Sequence, residues 1–118
     1  MNDIKKKGDL GLVKAILWLT ENGFTVYTPL TDNEVVDLVG LRDGVAFRVS
    51  VKATSAKTPY GSYETTLKTV SRRKDNKVKV NHFDASRLDL LLVYIIPEDR
   101  VVCLKAEEVT SKSSICVR

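Results

Sequence analysis

The sequence has few of the residues that build metal clusters, disulfide frameworks or membrane spans. It contains two cysteines and one histidine. Cys103 and Cys116 lack metal-ligand spacing, and His82 has no cysteine or acid at such a spacing. We therefore expect buried free thiols in a reducing compartment. No apolar run approaches the ~20 residues that cross a bilayer, so no membrane association is expected.

Signals that would divide or export the chain are also missing. The N-terminus is polar and carries lysines at positions 5–7, without the apolar core of a secretory signal. This predicts an intracellular, cytoplasmic protein. No repeat, linker or low-complexity segment interrupts residues 1–118. A chain of 118 residues, 43% of them hydrophobic, is expected to form one domain with a sizeable core.

The elements that are present predict an α/β domain that borders on α+β, with a mixed β-sheet flanked by helices. A helix is predicted over residues 9–22, with Asp9 as a cap near its N-terminus and Gly23 as its stop. The apolar run 88–96 is predicted to be a central strand covered on both faces. The other predicted elements are strands at 24–29, 35–41, 45–52, 63–70 and 101–104, a short helix at 106–109 and an edge strand at 113–117.

The most informative pattern is a β-hairpin around the dipeptide Asp43-Gly44. A short turn at this dipeptide places Asp37 directly opposite Ser50 on the next strand. Because side chains alternate between the faces of a strand, Asp37, Ser50 and Lys52 share one polar face, with Arg48 beside them. The opposite face is predicted to be core and consists of Val36, Leu38, Val45, Phe47, Val49 and Val51.

An acid and a lysine in this arrangement suit a magnesium-dependent nuclease. Asp37 supplies a carboxylate and the Val51 carbonyl a second oxygen, which are ligands that Mg²⁺ accepts. Lys52 is a compact cation that can stabilise the attacking hydroxide or the charge that develops on the phosphate. The alternative interpretation is a surface ion pair between Asp37 and Lys52.

Positive charge is concentrated in the segment that follows the hairpin. The formal net charge of the chain is +4. The segment from Glu64 to Lys79 holds only two acids, Glu64 and Asp75. Together with Arg48, the cluster is predicted to contact the phosphate backbone of double-stranded DNA. A solvated loop is the alternative. The basic residues of the cluster are Lys68, Arg72, Arg73, Lys74, Lys77 and Lys79.

Six short segments occur in an order and spacing that point to a known family. They are residues 7–11 (KGDLG), 23–26 (GFTV), 29–31 (PLT), 36–39 (VDLV), 48–52 (RVSVK) and 88–94 (LDLLLVY), followed by Pro97. The chain resembles the small PD-(D/E)xK endonucleases associated with group I introns. The resemblance implies a restriction-endonuclease-like core, a Mg²⁺ site at Asp37 and Lys52 that also accepts Mn²⁺, and a homodimer or homotetramer.

Two positions depart from the pattern of that family. Ser50 stands where members carry glutamine or glutamate, and Val36 stands where they carry proline. A hydroxyl is a weaker metal ligand than a carboxylate, so Ser50 alone would make a weak site. Either Ser50 or Asp9 is expected to complete the site, and Asp9 is a candidate because the family often uses an acid from this first helix. The predicted function is metal-dependent hydrolysis of phosphodiester bonds in DNA, as in homing endonucleases. A structure-specific junction resolvase, a catalytically inactive DNA-binding module and a protein-interaction domain stay open as alternatives.

Overall fold

A five-stranded mixed sheet with an α-helix on one face forms the framework of the protein in this computed structural model. The structure describes residues 3–31, 35–67, 69–72, 78–81, 83–111 and 113–118. Its helix and strands are α1 (Asp3–Glu21), β1 (Thr25–Tyr27), β2 (Leu38–Arg42), β3 (Val45–Thr54), β4 (Tyr63–Thr66), β5 (Thr69–Arg72), β6 (Val78–Asn81), β7 (Leu90–Ile95), β8 (Arg100–Lys105) and β9 (Ser114–Val117). Three short 3₁₀ turns cover Ala85–Arg87, Ile96–Glu98 and Ala106–Glu108.

The sheet has the strand order β1-β2-β3-β7-β8. Strands β3 and β7 are parallel, and the other neighbours are antiparallel. Every residue of β7 is buried, which confirms the central, doubly covered strand predicted for this run. The mixed α/β sheet is confirmed. Of the helices predicted to flank the sheet, α1 is the one α-helix among the described residues, and the others are 3₁₀ turns.

Helix α1 begins earlier than the sequence pattern indicated. It starts at Asp3, so Asp9 lies inside the helix and the prediction of Asp9 as its cap is wrong. Lysines 5–7 are good helix formers and extend the helix toward the N-terminus. The predicted stop is confirmed, because Gly23 adopts a left-handed φ of +85° directly after the last turn. None of the described helices is long and apolar enough to cross a membrane.

The strand predicted over residues 63–70 is two strands in separate two-stranded sheets. Strand β4 pairs with β9, and β5 pairs with β6. The β4–β9 ladder ends where Thr66 meets Ser114, and one further hydrogen bond of 2.8 Å, from the Leu67 N–H to the Ser113 carbonyl, follows it. The short helix predicted at 106–109 forms as a 3₁₀ turn, and the strand predicted at 113–117 forms as β9.

Two apolar clusters cover the two faces of the sheet. The cluster on the α1 side consists of Ala15, Leu19, Phe24, Leu38, Val49, Leu90 and Leu92. The cluster on the opposite side consists of Tyr63, Leu67, Phe83, Leu88, Leu91, Val93, Ile95, Ala106 and Val117. Together they bury β7 from both sides.

Four side chains lie where the sequence pattern did not place them. Val36 packs against the cluster on the side opposite α1 and not beside Leu38, because β2 begins only at Leu38 and strand alternation does not extend back to Val36. Val45 is exposed at the tip of the hairpin. Both cysteines are free as predicted, but Cys116 is exposed and Cys103 is only half-buried, so the buried pair of thiols is wrong.

Candidate active site

The hairpin turn fixes the geometry of the candidate site. Asp43 and Gly44 have φ values of 53° and 77°, the left-handed pair that a two-residue type I′ turn requires. The resulting register pairs Gly40 with Phe47 and Leu38 with Val49, as the sequence predicted. The ladder stops at Leu38, so the predicted start of this strand at Val35 is wrong. Asp37 therefore lies just outside the strand, with its N–H donated to the Val49 carbonyl at 2.9 Å.

The Asp37 side chain takes the place of a backbone partner at this end of the ladder. Its Oδ2 atom accepts a hydrogen bond of 2.7 Å from the Val51 N–H and one of 3.4 Å from Ser50 Oγ. In a continued ladder Val51 would face Val36, whose chain turns away. The N–H and the carbonyl of one residue in an antiparallel strand point toward the same neighbouring strand. The Val51 carbonyl therefore lies on the same edge of β3 as the Asp37 carboxylate, which is itself exposed.

Ser50 and Lys52 lie between this carboxylate and the apolar core. Ser50 is 6% exposed, and the β7 residues paired with Ser50 and Lys52 are the fully buried Leu91 and Val93. Burial lowers the pKa of Lys52 below its ordinary value, and the Asp37 carboxylate opposes that change with a smaller effect. Among the described residues, the Lys52 ammonium has no hydrogen-bond or ion-pair partner.

Arg48, on the same face of β3, is held by Asp89. The distance from Arg48 Nε to Asp89 Oδ2 is 3.0 Å, and the Arg48 backbone N–H donates to the same oxygen at 2.7 Å. The hydrogen bond to Asp89 raises the pKa of Arg48, and the bond to Arg48 lowers the pKa of Asp89. The guanidinium predicted to contact DNA therefore fastens β3 to the segment before β7. The sequence pattern did not reveal Asp89 as its partner, because the two residues are 41 positions apart.

Asp9 does not lie on the side of α1 that packs on the sheet. Gly11 makes that contact, since a Cβ atom at Gly11 would come 2.9 Å from the Ala53 Cβ. Two residues correspond to about 200° around an α-helix, so Asp9 points away from the sheet, and its side chain is exposed. No contact in the described part of the chain joins Asp9 to Asp37 or Lys52. The role predicted for Asp9 stays a prediction without structural support.

The predicted basic cluster lies only partly within the described residues. Arg72 ends β5 and Lys79 lies in β6, and these strands form an antiparallel pair. His82 lies outside the described residues. So do four members of the cluster, which are Lys68, Arg73, Lys74 and Lys77. The prediction that this cluster contacts DNA stays a prediction.

The donor set at Asp37 fits a magnesium-type ion. In the described part of the chain, no three His, Cys, Asp or Glu side chains lie together as a ligand group. Mg²⁺ does not need such a group, because it is commonly bound by one or two carboxylates with waters and substrate phosphate. Asp37 Oδ2 is hydrogen-bonded to the protein, whereas Oδ1 has no described partner. An exposed carboxylate oxygen and the Val51 carbonyl on one edge are ligands of the type Mg²⁺ prefers.

Comparisons with known proteins agree with the fold. A model of the PD-(D/E)XK endonuclease family matches residues 2–118, which confirms the resemblance seen in the sequence. Among solved structures, a bacterial homing endonuclease, I-Ssp6803I, is similar with a TM-score of 0.80 and 21% sequence identity. The match covers 99% of this chain and 79% of that one. At this identity the likeness concerns the fold. No curated protein matches the chain.

Proposed function

Because the chain belongs to the PD-(D/E)XK endonuclease family, we propose that it hydrolyses phosphodiester bonds in double-stranded DNA with the help of a divalent metal ion. The observation that carries the proposal is the group formed by Asp37, Ser50 and Lys52. An exposed carboxylate lies there beside a lysine that has no partner among the described residues. A surface ion pair would bring the ammonium within 4.0 Å of the carboxylate, and no such contact occurs.

The metal site proposed here consists of the Asp37 carboxylate and the Val51 carbonyl. Nucleases of this family generally use divalent metals, and we propose Mg²⁺, with Mn²⁺ as a substitute. When bound, the ion lowers the pKa of a water molecule and neutralises charge on the scissile phosphate. The Val51 N–H and the Ser50 hydroxyl fix the orientation of the carboxylate through Oδ2. In this proposal Ser50 orients Asp37, while direct ligation by the Ser50 hydroxyl stays the alternative.

Lys52 supplies the positive charge that the reaction needs next to the phosphate. Its ammonium stabilises the attacking hydroxide or the charge that develops on the phosphorus oxygens. The buried side of the site is formed by Leu91 and Val93, which exclude water from the stem of Lys52. Electrostatic stabilisation is stronger in such a water-poor environment than in bulk solvent.

Cleavage of plasmid DNA tests this proposal. The unsubstituted chain is expected to nick and linearise plasmid in Mg²⁺ or Mn²⁺. Asp37→Ala and Lys52→Ala should each lower the rate by about 10²–10³-fold. Asp43→Asn, at an exposed aspartate in the turn of the same hairpin, should leave the rate unchanged. Cleavage that survives both site substitutions would falsify the assignment.

A catalytically inactive DNA-binding module is the second candidate. Ser50 favours it, because this buried residue is short and its hydroxyl lies 3.4 Å from the carboxylate. Titration with Mn²⁺ separates the two candidates. A nuclease should bind the ion through Asp37, whereas an inactive module should bind DNA without any Asp37-dependent metal affinity. Appearance of cleavage only after Ser50→Gln would favour the inactive module.

The substrate proposed here is linear duplex DNA, and the likeness in fold to a homing endonuclease supports a DNA substrate. A junction resolvase could use the same residues, so substrate preference has to distinguish the two activities. Rates on linear duplex and on a four-way junction of matched sequence make that distinction. Faster cleavage of the junction would point to the resolvase.

Cutting both strands of a duplex is most simply done by two active sites, so we propose a symmetric homodimer or homotetramer. Sedimentation equilibrium with and without DNA measures the number of subunits. A monomer under both conditions would contradict this part of the proposal. The protein-interaction alternative predicts DNA affinity that does not respond to salt, whereas phosphate-mediated binding weakens steeply as salt rises.

A further inference from the structure

A tight turn beyond the end of β3 holds the most exposed tyrosine of the described residues. The turn consists of residues 58–61, with Pro59 in its second position. The Gly61 N–H donates to the Thr58 carbonyl at 3.3 Å. Tyr60 does not have a positive φ, whereas Gly61 has a φ of +81°. This is the arrangement of a type I turn, with Tyr60 in the third position.

Further hydrogen bonds around this turn fix the backbone of Tyr60. The Thr58 N–H donates to the Ser62 carbonyl at 2.8 Å, and the two hydroxyls of these residues are 2.7 Å apart. The Tyr60 N–H donates to Thr58 Oγ1 at 3.3 Å. Just outside the turn, the Glu64 N–H donates to the Ala56 carbonyl at 2.9 Å. The turn is thus a rigid extension of the strand that carries Lys52.

The aromatic ring of Tyr60 contributes little to the core. The residue is 84% exposed, whereas Tyr63, three positions further on, is 4% exposed and belongs to the apolar cluster opposite α1. The turn therefore presents a large aromatic ring to solvent on a hydrogen-bonded backbone. Loops that a rigid scaffold positions commonly carry binding residues. A ring on a fixed backbone also loses little conformational entropy when a ligand covers it.

Lysines occur next to this turn and at the start of its segment. Lys57 is exposed just before it. The first turns of α1 come close on the other side, because Lys7 Nζ donates to Ser55 Oγ at 3.3 Å. Lys5 and Lys6 are exposed next to Lys7. The segment 55–61 therefore combines an exposed aromatic ring with its own lysine and with a lysine of α1 that contacts its first residue. Exposed rings and lysines are the composition of surfaces that contact nucleic acid.

We propose that residues 55–61, with the exposed Tyr60, Lys57 of the same segment and Lys7 at Ser55, form a DNA-contact surface in which the Tyr60 ring packs on a sugar of the duplex and the lysines contact phosphates. This inference rests on the proposed function and adds to it a contact that is separate from the reacting groups. Eight residues separate Lys52 from Tyr60, so their Cα atoms are less than about 29 Å apart. This limit is shorter than one helical turn of duplex DNA, which is about 34 Å.

DNA binding by matched variants tests this surface. Fluorescence anisotropy with a labelled random-sequence duplex in EDTA measures affinity without cleavage. Tyr60→Ala is expected to weaken binding by about 5-fold, the low end of the range for an aromatic contact with a nucleotide, because the bases of a duplex already stack on one another. Tyr60→Phe should retain affinity, because stacking does not need the hydroxyl. Tyr27→Ala is the matched control, since Tyr27 is a half-exposed tyrosine on the edge strand β1.

The salt dependence of binding separates the ring from the lysines. Lys57→Ala should reduce the slope of log affinity against log salt by about 1, because one phosphate contact is lost. Tyr60→Ala should leave that slope unchanged, since a neutral ring releases no counterions. The melting temperature of Tyr60→Ala should equal that of the unsubstituted chain.

Several results would overturn the inference. Unchanged affinity in Tyr60→Ala, or an equal loss in Tyr27→Ala, would show that the ring has no specific contact with DNA. A lower melting temperature in Tyr60→Ala would make the ring structural. Absence of any DNA affinity in the unsubstituted chain would overturn both this inference and the proposed function. DNA binding that depends on Tyr60, without cleavage in Mg²⁺, would support the surface and contradict the nuclease activity alone.

Discussion

The two faces of β3 differ completely in chemistry although they alternate along one strand. One face consists of Phe47, Val49, Val51 and Ala53 and packs toward α1. The other consists of Arg48, Ser50, Lys52 and Thr54. On the apolar face α1 approaches so closely that Gly11 leaves no room for a Cβ atom beside Ala53.

The polar face is not uniform, and the difference within it distinguishes Lys52 from its neighbours. Arg48 is paired with Asp89, Ser50 with Asp37, and the Thr54 hydroxyl donates to the Glu64 carbonyl at 2.6 Å. Lys52 alone on this face has no such partner among the described residues. A polar group near the core normally has a hydrogen-bond partner. Among the described residues, the polar groups of this face are therefore paired except for the Lys52 ammonium, as the proposed function requires.

The largest expected effect concerns this unpaired ammonium. Lys52→Met keeps the stem of the side chain and removes its charge, so we expect DNA cleavage to fall by about 10²–10³-fold. Lys52→Arg should not restore the rate, because a planar guanidinium does not fit the site of a compact ammonium. Lys105→Met, at an exposed lysine at the end of β8, is the control for loss of one positive charge. Equal rates for Lys52→Met and Lys105→Met would remove the distinction drawn here for Lys52.

A smaller effect is expected at the paired hydroxyl. Ser50→Ala removes the 3.4 Å hydrogen bond to Asp37 but leaves the stronger bond from the Val51 N–H. We expect cleavage and Mn²⁺ affinity to fall by about 10-fold, at the low end of the range for groups that orient a metal ligand. Ser114→Ala on β9 is the matched control. A loss as large as that in Lys52→Met would mean that Ser50 itself coordinates the ion.

The pH dependence of stability measures the burial of Lys52 directly. The folded pKa of Lys52 is lower than its ordinary value of 10.5, so between these two values the unfolded chain binds more protons than the folded protein. The free energy of unfolding should therefore rise with pH through this window. Urea unfolding at a series of pH values should show the rise, and Lys52→Met should lack it. The same slope in both proteins would contradict the burial of this amine.

The smallest effects are expected at two glycines of α1, of which Gly11 faces the apolar side of β3 and Gly8 does not contact the sheet. Gly8 has no atom within 4 Å of a Cβ position, so Gly8→Ala should raise the free energy of unfolding by about 0.5–1 kcal/mol through helix propensity. Gly11→Ala should lower it by about 1 kcal/mol, because the new methyl group clashes with Ala53. Chemical denaturation measures both values. Stabilisation by both substitutions would show that α1 can move away from β3.

Local signals were sufficient for the hairpin and for the candidate site. Asp43-Gly44 specifies a turn type, and the alternation of apolar and polar residues permits only one register. Turn chemistry and alternation together therefore place Asp37, Ser50 and Lys52 side by side. Helix α1 was less predictable at its start, because lysines 5–7 favour a helix without marking where it begins, and Asp9 resembled a cap.

Partners that are distant in sequence could not be predicted. The predicted strand 63–70 is divided because β9, which is more than 40 positions away, pairs only with residues 63–66. The exposure of Cys116 follows from its place in that same small sheet. Likewise, the sequence near Arg48 contains no sign of its ion pair with Asp89, which lies 41 positions away. Arg48 was therefore predicted to contact DNA without that partner being recognised.

The sequence by itself determined the α/β class, the register of the hairpin and the group that holds Asp37 beside Lys52, because turn chemistry and side-chain alternation act over a few residues. Only the tertiary structure decided which of the polar residues on β3 are satisfied and which one is left free. The pairing of Arg48 and the burial of Lys52 depend on β7 and the loop before it, which bring Asp89 to Arg48 and apolar side chains to Lys52. Burial and pairing are properties of the packed chain, so no local pattern specifies them.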